Sequence, residues 1–133
     1  MSFLLDTDIC SAHLRRPSGL MHRFVQHSGR LFVPTVGLAE LYVWAYLRPD
    51  PGDFLAAIAA FLEYDVETLA FDEASAEQFG KSRVELQRTG ITVSPIDLLI
   101  ASVAIAHDLT LVTHNTADFR QIPGLRLDDW LTP

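Results

Sequence analysis

The sequence is short of the groups that mark secreted and membrane proteins. Cys10 is its one cysteine, so no internal disulfide can form and a chain that folds in a reducing cytosol is expected. No motif surrounds Cys10, which reads as a small buried residue of an early helix. No apolar run reaches the ~20 residues that span a bilayer, and the first residues lack the basic start of a signal peptide. A cytoplasmic protein with no membrane partner is the expectation. Carboxylates are missing from Ile9 to Ala39, where Arg15, Arg16, Arg23 and Arg30 fall together with His13, His22 and His27. That basic segment lies in a chain of net charge −7, which argues against a protein that grips nucleic acid through an overall positive surface. Its readings are a solvated helix face or a set of phosphate contacts, with Arg15, Arg16 and Arg23 as the RNA-binding candidates. Internal repeats, low-complexity stretches and long linkers are absent too. The 133 residues therefore read as a single domain spanning 1–133, long enough to bury about two-thirds of its unfolded surface. A hydrophobic fraction of 49% excludes intrinsic disorder.

What is there is organised around Ile91 to Phe119. Ser94, Pro95 and Asp97 predict a helix start: a hydroxyl to cap free amides, a ring that suits the first helical position and a carboxylate at the positive end. Leu98 to Ala106 is apolar on every face apart from Ser102, which predicts a buried helix. Leu111-Val112-Thr113 then reads as a buried strand ending in the polar cluster His114, Asn115, Thr116 and Asp118. Upstream, Phe3-Leu4-Leu5 predicts a central strand that delivers Asp6-Thr7-Asp8. Asp8 or Thr7 is expected to cap a helix running to about Arg16 and stopped by Pro17, Ser18 and Gly19, with a second helix from Leu20 to His27. Leu31-Phe32-Val33 is the next strand, and Pro34-Thr35 opens a helix that carries Glu40. After the break at Pro49 to Gly52 come a helix over Phe54–Leu62, a strand over Val66–Phe71 and a surface helix over Glu73–Arg88 closed by Gly90. Gly124 to Leu127 reads as an edge strand, with Trp130 packing the tail. Strands alternating with helices predict an α/β fold with a mainly parallel sheet covered on both faces.

In such sheets ligands bind beyond the carboxyl ends of the strands. Asp6, Glu40, Asp97 and Asp118 all fall where they can face that edge. Two carboxylates ~4 Å apart repel by about 4 kcal/mol at an effective dielectric near 20, so a cluster raises a pKa, spreads apart or takes a cation. Mg²⁺ or Mn²⁺ prefers oxygen ligands, keeps several waters and suits this set. Each acid also has a plainer reading. Asp97 can be a capping-box member, Asp8 a helix cap, and Asp118 and Asn115 turn residues.

The pieces FLLDTDI, VGLAELY, PIDLLIASVAIAHDLTLVTHNTADF and IPGLRLDDW span nearly the whole chain, and together they resemble PIN domains, specifically the VapC-type toxins of toxin–antitoxin pairs. The resemblance implies a three-layer α/β/α fold and a Mg²⁺- or Mn²⁺-dependent endoribonuclease inhibited by a small antitoxin. It implies Asp6 and Asp97 as principal metal ligands and catalytic residues, Glu40 and Asp118 completing the acidic site partly through water, and Thr113 and Asn115 in support. At the position of Asp8 the family often has Asn. Structured RNA, often transfer RNA, is the implied substrate, and a homodimer or a hetero-oligomer with the antitoxin the implied assembly. Trp44, Tyr46 and the Phe54–Leu62 helix are candidates for those contact surfaces.

Two other classes compete. Asp6-Thr7-Asp8 also resembles the nucleophile loop of haloacid-dehalogenase-type phosphatases, with Asp6 attacking phosphorus and Asp8 as acid and base. That scheme wants Thr or Ser where Cys10 stands, and its lysine would have to be Lys81. The other class is a catalytically inactive interaction domain. Within the fold, a nuclease that cuts DNA is the closer rival, since only the 2′-hydroxyl separates the two substrates at a given site.

Overall fold

Five short strands form a wholly parallel sheet, in the spatial order Glu67–Leu69, Leu31–Pro34, Phe3–Leu5, Thr110–Val112 and Arg126–Asp128. The computed structural model describes residues 1–132, so Pro133, the last residue of the expected domain, lies outside them. The strands are β1 (Phe3–Leu5), β2 (Leu31–Pro34), β3 (Glu67–Leu69), β4 (Thr110–Val112) and β5 (Arg126–Asp128). Between them run helices α1 (Thr7–Arg15), α2 (Pro17–Gln26), α3 (Thr35–Tyr46), α4 (Gly52–Ala60), α5 (Glu73–Arg88), α6 (Pro95–Ala106) and α7 (Thr116–Phe119). A wide π-helical turn, Phe61–Asp65, ends α4.

The two-residue period of the strands divides the core into two layers. Phe3, Leu5, Leu31, Val33 and Val112 face one side, where they pack with Ile9, Leu20, Phe24, Leu41, Ala45, Phe54, Ile58 and Phe61 from α1 to α4 and the π-turn. Leu4 and Leu111 face the other, against Leu86 of α5 and Leu98, Ile100, Ala101, Val103 and Ala104 of α6. This is the three-layer α/β/α arrangement expected from the sequence. No helix among the described residues is long and apolar enough to cross a membrane.

Several boundaries differ from expectation, each for a local reason. Pro17 opens α2 instead of stopping the chain, because a ring without an N–H costs nothing at the first helical position. The cap of α1 is Asp6, which accepts from the Thr7 amide at 2.8 Å, and not Thr7 or Asp8. The third strand contracts to Glu67–Leu69 at the sheet's edge, and Thr116–Phe119 coils into the short α7 where only a turn was expected. The Phe54–Leu62 segment, a candidate contact surface, sends Phe54, Ile58 and Phe61 into the core and leaves Ala56, Ala59 and Ala60 exposed. Trp130 is buried as expected, in edge contact with Phe3 and Phe24.

The topology has one functional consequence. The chain leaves β1 for β2 and β3 on one side, then returns to place β4 and β5 on the other. The strand order therefore reverses between β1 and β4, and a parallel sheet opens a crevice at the carboxyl ends of such a pair.

Candidate active site

Asp6 and Thr113 are the residues that follow β1 and β4 at that crevice. The Asp6 amide donates to Val112 at 2.9 Å, which continues the ladder and fixes Asp6 at the mouth. Its carboxylate accepts from the Thr7 amide at 2.8 Å and from the Thr113 hydroxyl at 2.8 Å. Thr113 is fully buried and Asp6 is 8% exposed. Burial pushes the Asp6 carboxyl up to about 7, reinforced by the charges of Asp8 and Asp97 and opposed by the bonds from Thr113 and Thr7. A buried acid in that condition holds a proton or calls for a cation.

Glu40 reaches the same place from the second turn of α3. Its carboxylate accepts from the Thr7 hydroxyl at 2.7 Å, so Thr7 ties two acids together, its amide on Asp6 and its hydroxyl on Glu40. Thr7 carried only a capping role in the sequence reading, because a threonine beside a cap has no distinctive signature. Gly37 is a second omission with a clearer signal, a glycine within an apolar helix. A Cβ there would lie 3.2 Å from the Thr7 hydroxyl. Gly37→Ala is expected to leave the melting temperature within a few degrees, since about 1 kcal/mol of helix propensity offsets the crowding. Any chemistry the site performs should nonetheless slow by roughly tenfold, because the Thr7–Glu40 bond is displaced. An unaltered rate in that variant would show that this bond does not set the site.

Asp97 sits in the first turn of α6, half-buried. Its amide donates to the Ser94 hydroxyl at 3.3 Å, so the cap uses the backbone of residue 97 and leaves its carboxylate free for other partners. Burial, then Asp118, Glu40 and Asp8, raise the Asp97 carboxyl above its usual range. Asp118, on α7, accepts from the Asn115 side chain at 2.7 Å, and it shares a small cavity with Asp97. Asn115 in turn donates its amide to the Thr113 hydroxyl at 3.0 Å. The four expected acids and both supporting residues thus form one electrostatic group. Asp8 belongs to it as a brace. Its carboxylate accepts from the His114 amide at 2.9 Å and from Thr113 at 3.4 Å, holding the loop after β4 against α1.

Arg15, Arg16 and Arg23 lie apart from the acids. Arg15 and Arg16 line a cavity of about 470 Å³ with Leu20 and Trp130, and the Arg23 guanidinium lies 5.7 Å over the Trp130 ring.

The donor set is all oxygen, which suits a hard divalent ion and not zinc or copper. Among the described residues no three His, Cys, Asp or Glu side chains close around one ion position. That spacing fits an ion held directly by one or two carboxylates, with its remaining ligands water. Lys81, which a phosphatase of the haloacid-dehalogenase type would need at the site, is instead exposed on α5 and paired with Glu77 at 3.1 Å.

A family model described as PIN domain matches residues 3–125. The chain is 36% identical over 131 residues to the tRNA(fMet)-specific endonuclease VapC of Shigella flexneri, covering 98% of each chain. It is 31% identical to Ribonuclease VapC2 of Haemophilus influenzae (strain ATCC 51907 / DSM 11121 / KW20 / Rd), covering 98% of this chain and 99% of that one. Among solved structures, DNA-bound VapBC from Salmonella typhimurium superposes with a TM-score of 0.92 at 34% identity, covering 98% of each chain. VapBC2 from Rickettsia felis, bound to a promoter DNA fragment, superposes with a TM-score of 0.91 at 29% identity, covering 98% of this chain and 99% of that one.

Proposed function

The chain belongs to the PIN-domain family, and from that premise we propose that it is an endoribonuclease, the toxin of a toxin–antitoxin pair, dependent on Mg²⁺ or Mn²⁺. All of residues 1–133 serve as one nuclease domain, working in the cytoplasm. The observation that carries the reading is Asp6, a carboxyl raised to about 7 beside three further acids at the strand-order reversal. Relatives named as ribonucleases, among them a tRNA(fMet)-specific endonuclease, support RNA as the substrate and transfer RNA as its class. Solved relatives that are VapBC complexes support an antitoxin as the inhibiting partner, in a hetero-oligomer or beside a homodimer.

Asp6 and Asp97 are the principal ligands, and Glu40 and Asp118 act partly through water. When bound, such an ion supplies Lewis-acid stabilisation of a phosphodiester under attack and makes water a better nucleophile near neutral pH. The protein's own share is placement. Thr7 fixes the spacing of Asp6 and Glu40, Thr113 orients Asp6 and opposes the upward push on its carboxyl, and Asn115 orients Asp118. A basic inhibitor segment suits this acidic edge. Exposed Val43, Trp44 and Tyr46 on α3, with Leu47 just after it, give the partner or a second subunit an apolar surface.

The deciding experiment is cleavage of a mixed RNA pool by purified, partner-free protein with Mg²⁺ or Mn²⁺, against EDTA. Cleavage lost in EDTA supports the reading, and equal cleavage in EDTA overturns the metal role. A matching DNA pool should stay intact. Arg15, Arg16 and Arg23 are assigned to RNA phosphates. Arg15→Ala with Arg16→Ala should weaken RNA binding about tenfold at moderate salt and lower the slope of log affinity against log salt by nearly two. An unchanged slope would return both residues to a solvated helix face.

A further inference from the structure

Two cavities meet beside Asp97. One, of about 170 Å³, holds Asp97, Asp118 and Gln121. The other, of about 220 Å³, lies between the end of α5 and the start of α6. Thr92 and Val93 line both, so the two are neighbours with a common wall.

The shape of the second cavity follows from how α5 ends. Gly90 takes the left-handed conformation (φ +73°), its amide donates to Gln87 at 3.2 Å, and the Ile91 amide donates back to Leu86 at 3.0 Å. This paired bonding reverses the chain and leads Ile91 to Ser94 across the gap between the helices. Leu86, Val93 and Leu98, at most 9% exposed, make an apolar floor. Arg83, Gln87 and Thr92 are exposed and line the rim. Arg83 takes part in no ion pair among the described residues.

We propose that this cavity takes one nucleobase of the RNA, beside the bond that is cut, with its face on the apolar floor and its edge at Arg83, Gln87 and Thr92. The assignment rests on the nuclease reading above. A base splayed out of a single strand has apolar faces and hydrogen-bonding edges, the same division as floor and rim. The volume lies below the ~300–1,000 Å³ of pockets for drug-sized ligands, and so matches a single ring system. Arg83 adds a cation at the margin of an acidic site, where an adjoining phosphate needs one. Since the walls are shared with the Asp97 cavity, a base seated here belongs to a nucleotide at or next to the scissile phosphate.

The test compares wild type, Arg83→Ala and Thr92→Trp, both at exposed positions, after circular dichroism and thermal melts have verified folding. A short randomised single-stranded RNA pool with Mn²⁺ identifies the preferred sequence. That sequence is then cut with an abasic nucleotide at each position in turn, and Mn²⁺ affinity is measured separately. The wild type should prefer one base beside the cut and lose about tenfold in kcat/KM when that base is removed. Thr92→Trp should lose a similar factor on intact RNA, match the wild type on the abasic RNA and bind Mn²⁺ unchanged. Arg83→Ala should relax the preference. A preference that survives in both variants overturns the assignment, as does a wild type that cuts without regard to the neighbouring base. Variants that cut normally but escape inhibition by a protein partner would give the cavity to a partner side chain instead. A wild type that binds Mn²⁺ yet cuts no RNA removes the nuclease premise, and this assignment with it.

Discussion

Asp97→Asn should reduce RNA cleavage by at least about a thousandfold while leaving the metal-free protein as stable as the wild type or more so. The two outcomes separate a site role from a capping role. The Ser94 cap uses the Asp97 amide at 3.3 Å, which asparagine retains. What the substitution removes is a charge that burial, Asp118, Glu40 and Asp8 together disfavour. Losing it should raise stability in EDTA at pH 7, less a few tenths of a kcal/mol for the favourable charge lost at a helix N-terminus. Ser94→Ala is the complementary variant. It should lower stability by about 1 kcal/mol and slow cleavage far less, because the acids keep their charges. A large loss of stability in Asp97→Asn without metal, together with near-normal cleavage, would make Asp97 a structural residue.

Much of this site is legible in the residues because parallel sheets impose a simple rule. An apolar run that ends in Asp6, another that ends in Thr113, and an apolar helix that begins at Asp97 deliver polar groups to one edge. That rule also brings Asn115 and Asp118 there, at the cap and on the single turn of α7 that follows β4. What it does not yield is the partner of each side chain. The Thr7 hydroxyl on Glu40 joins positions 33 residues apart, and no local pattern announces such a bond. The same holds for Asp8, which as a sequence reads as a helix cap and in the fold receives the His114 amide across 106 residues. Boundaries failed where a residue can serve two ends of a helix. Pro17 breaks one helix and starts the next, and composition alone does not say which role dominates.

The strand reversal between β1 and β4 explains why these bonds matter together. Asp6 stands on the β1 side, Thr113, Asn115 and Asp118 on the β4 side, and Asp97 on the helix that enters β4. The Thr113 hydroxyl, 2.8 Å from Asp6, is a direct side-chain link across that seam, beside the Asp6–Val112 backbone bond and the His114 amide on Asp8. Fixing the seam fixes the spacing of the acids, and the hard ion proposed for this edge would depend on that spacing.

In EDTA, the wild type should lose stability through the Asp6 group as pH rises from about 4 to 7, and Mg²⁺ or Mn²⁺ should restore it at neutral pH. Asp6 ordinarily titrates at 3.8 and in the fold near 7. Between those values the native state holds a proton that the unfolded chain has released, so the slope of stability with pH is negative there. The contribution is complete below about 4 and gone above about 7. Its ceiling is about 4 kcal/mol at ~1.4 kcal/mol per unit of pKa, and Asp97, raised as well, shares in it. His13 and His27, both pushed below the usual imidazole range by burial, act in the opposite direction as pH falls below about 6.5. The clean quantity is therefore the difference between wild type and Asp6→Asn, in which the imidazoles cancel. That difference should favour the wild type at pH 4 and the variant at pH 7, and it should shrink at pH 7 when metal is added. A divalent ion at about a hundred times its dissociation constant should contribute roughly 2.7 kcal/mol to the wild type, and little to a variant that has lost a principal ligand. A wild type that gains stability relative to Asp6→Asn as pH rises in EDTA would reverse the sign expected of a buried, crowded carboxyl. It would mean that Asp6 is satisfied by Thr7 and Thr113 alone, and the electrostatic case for a cation at this edge would fail with it.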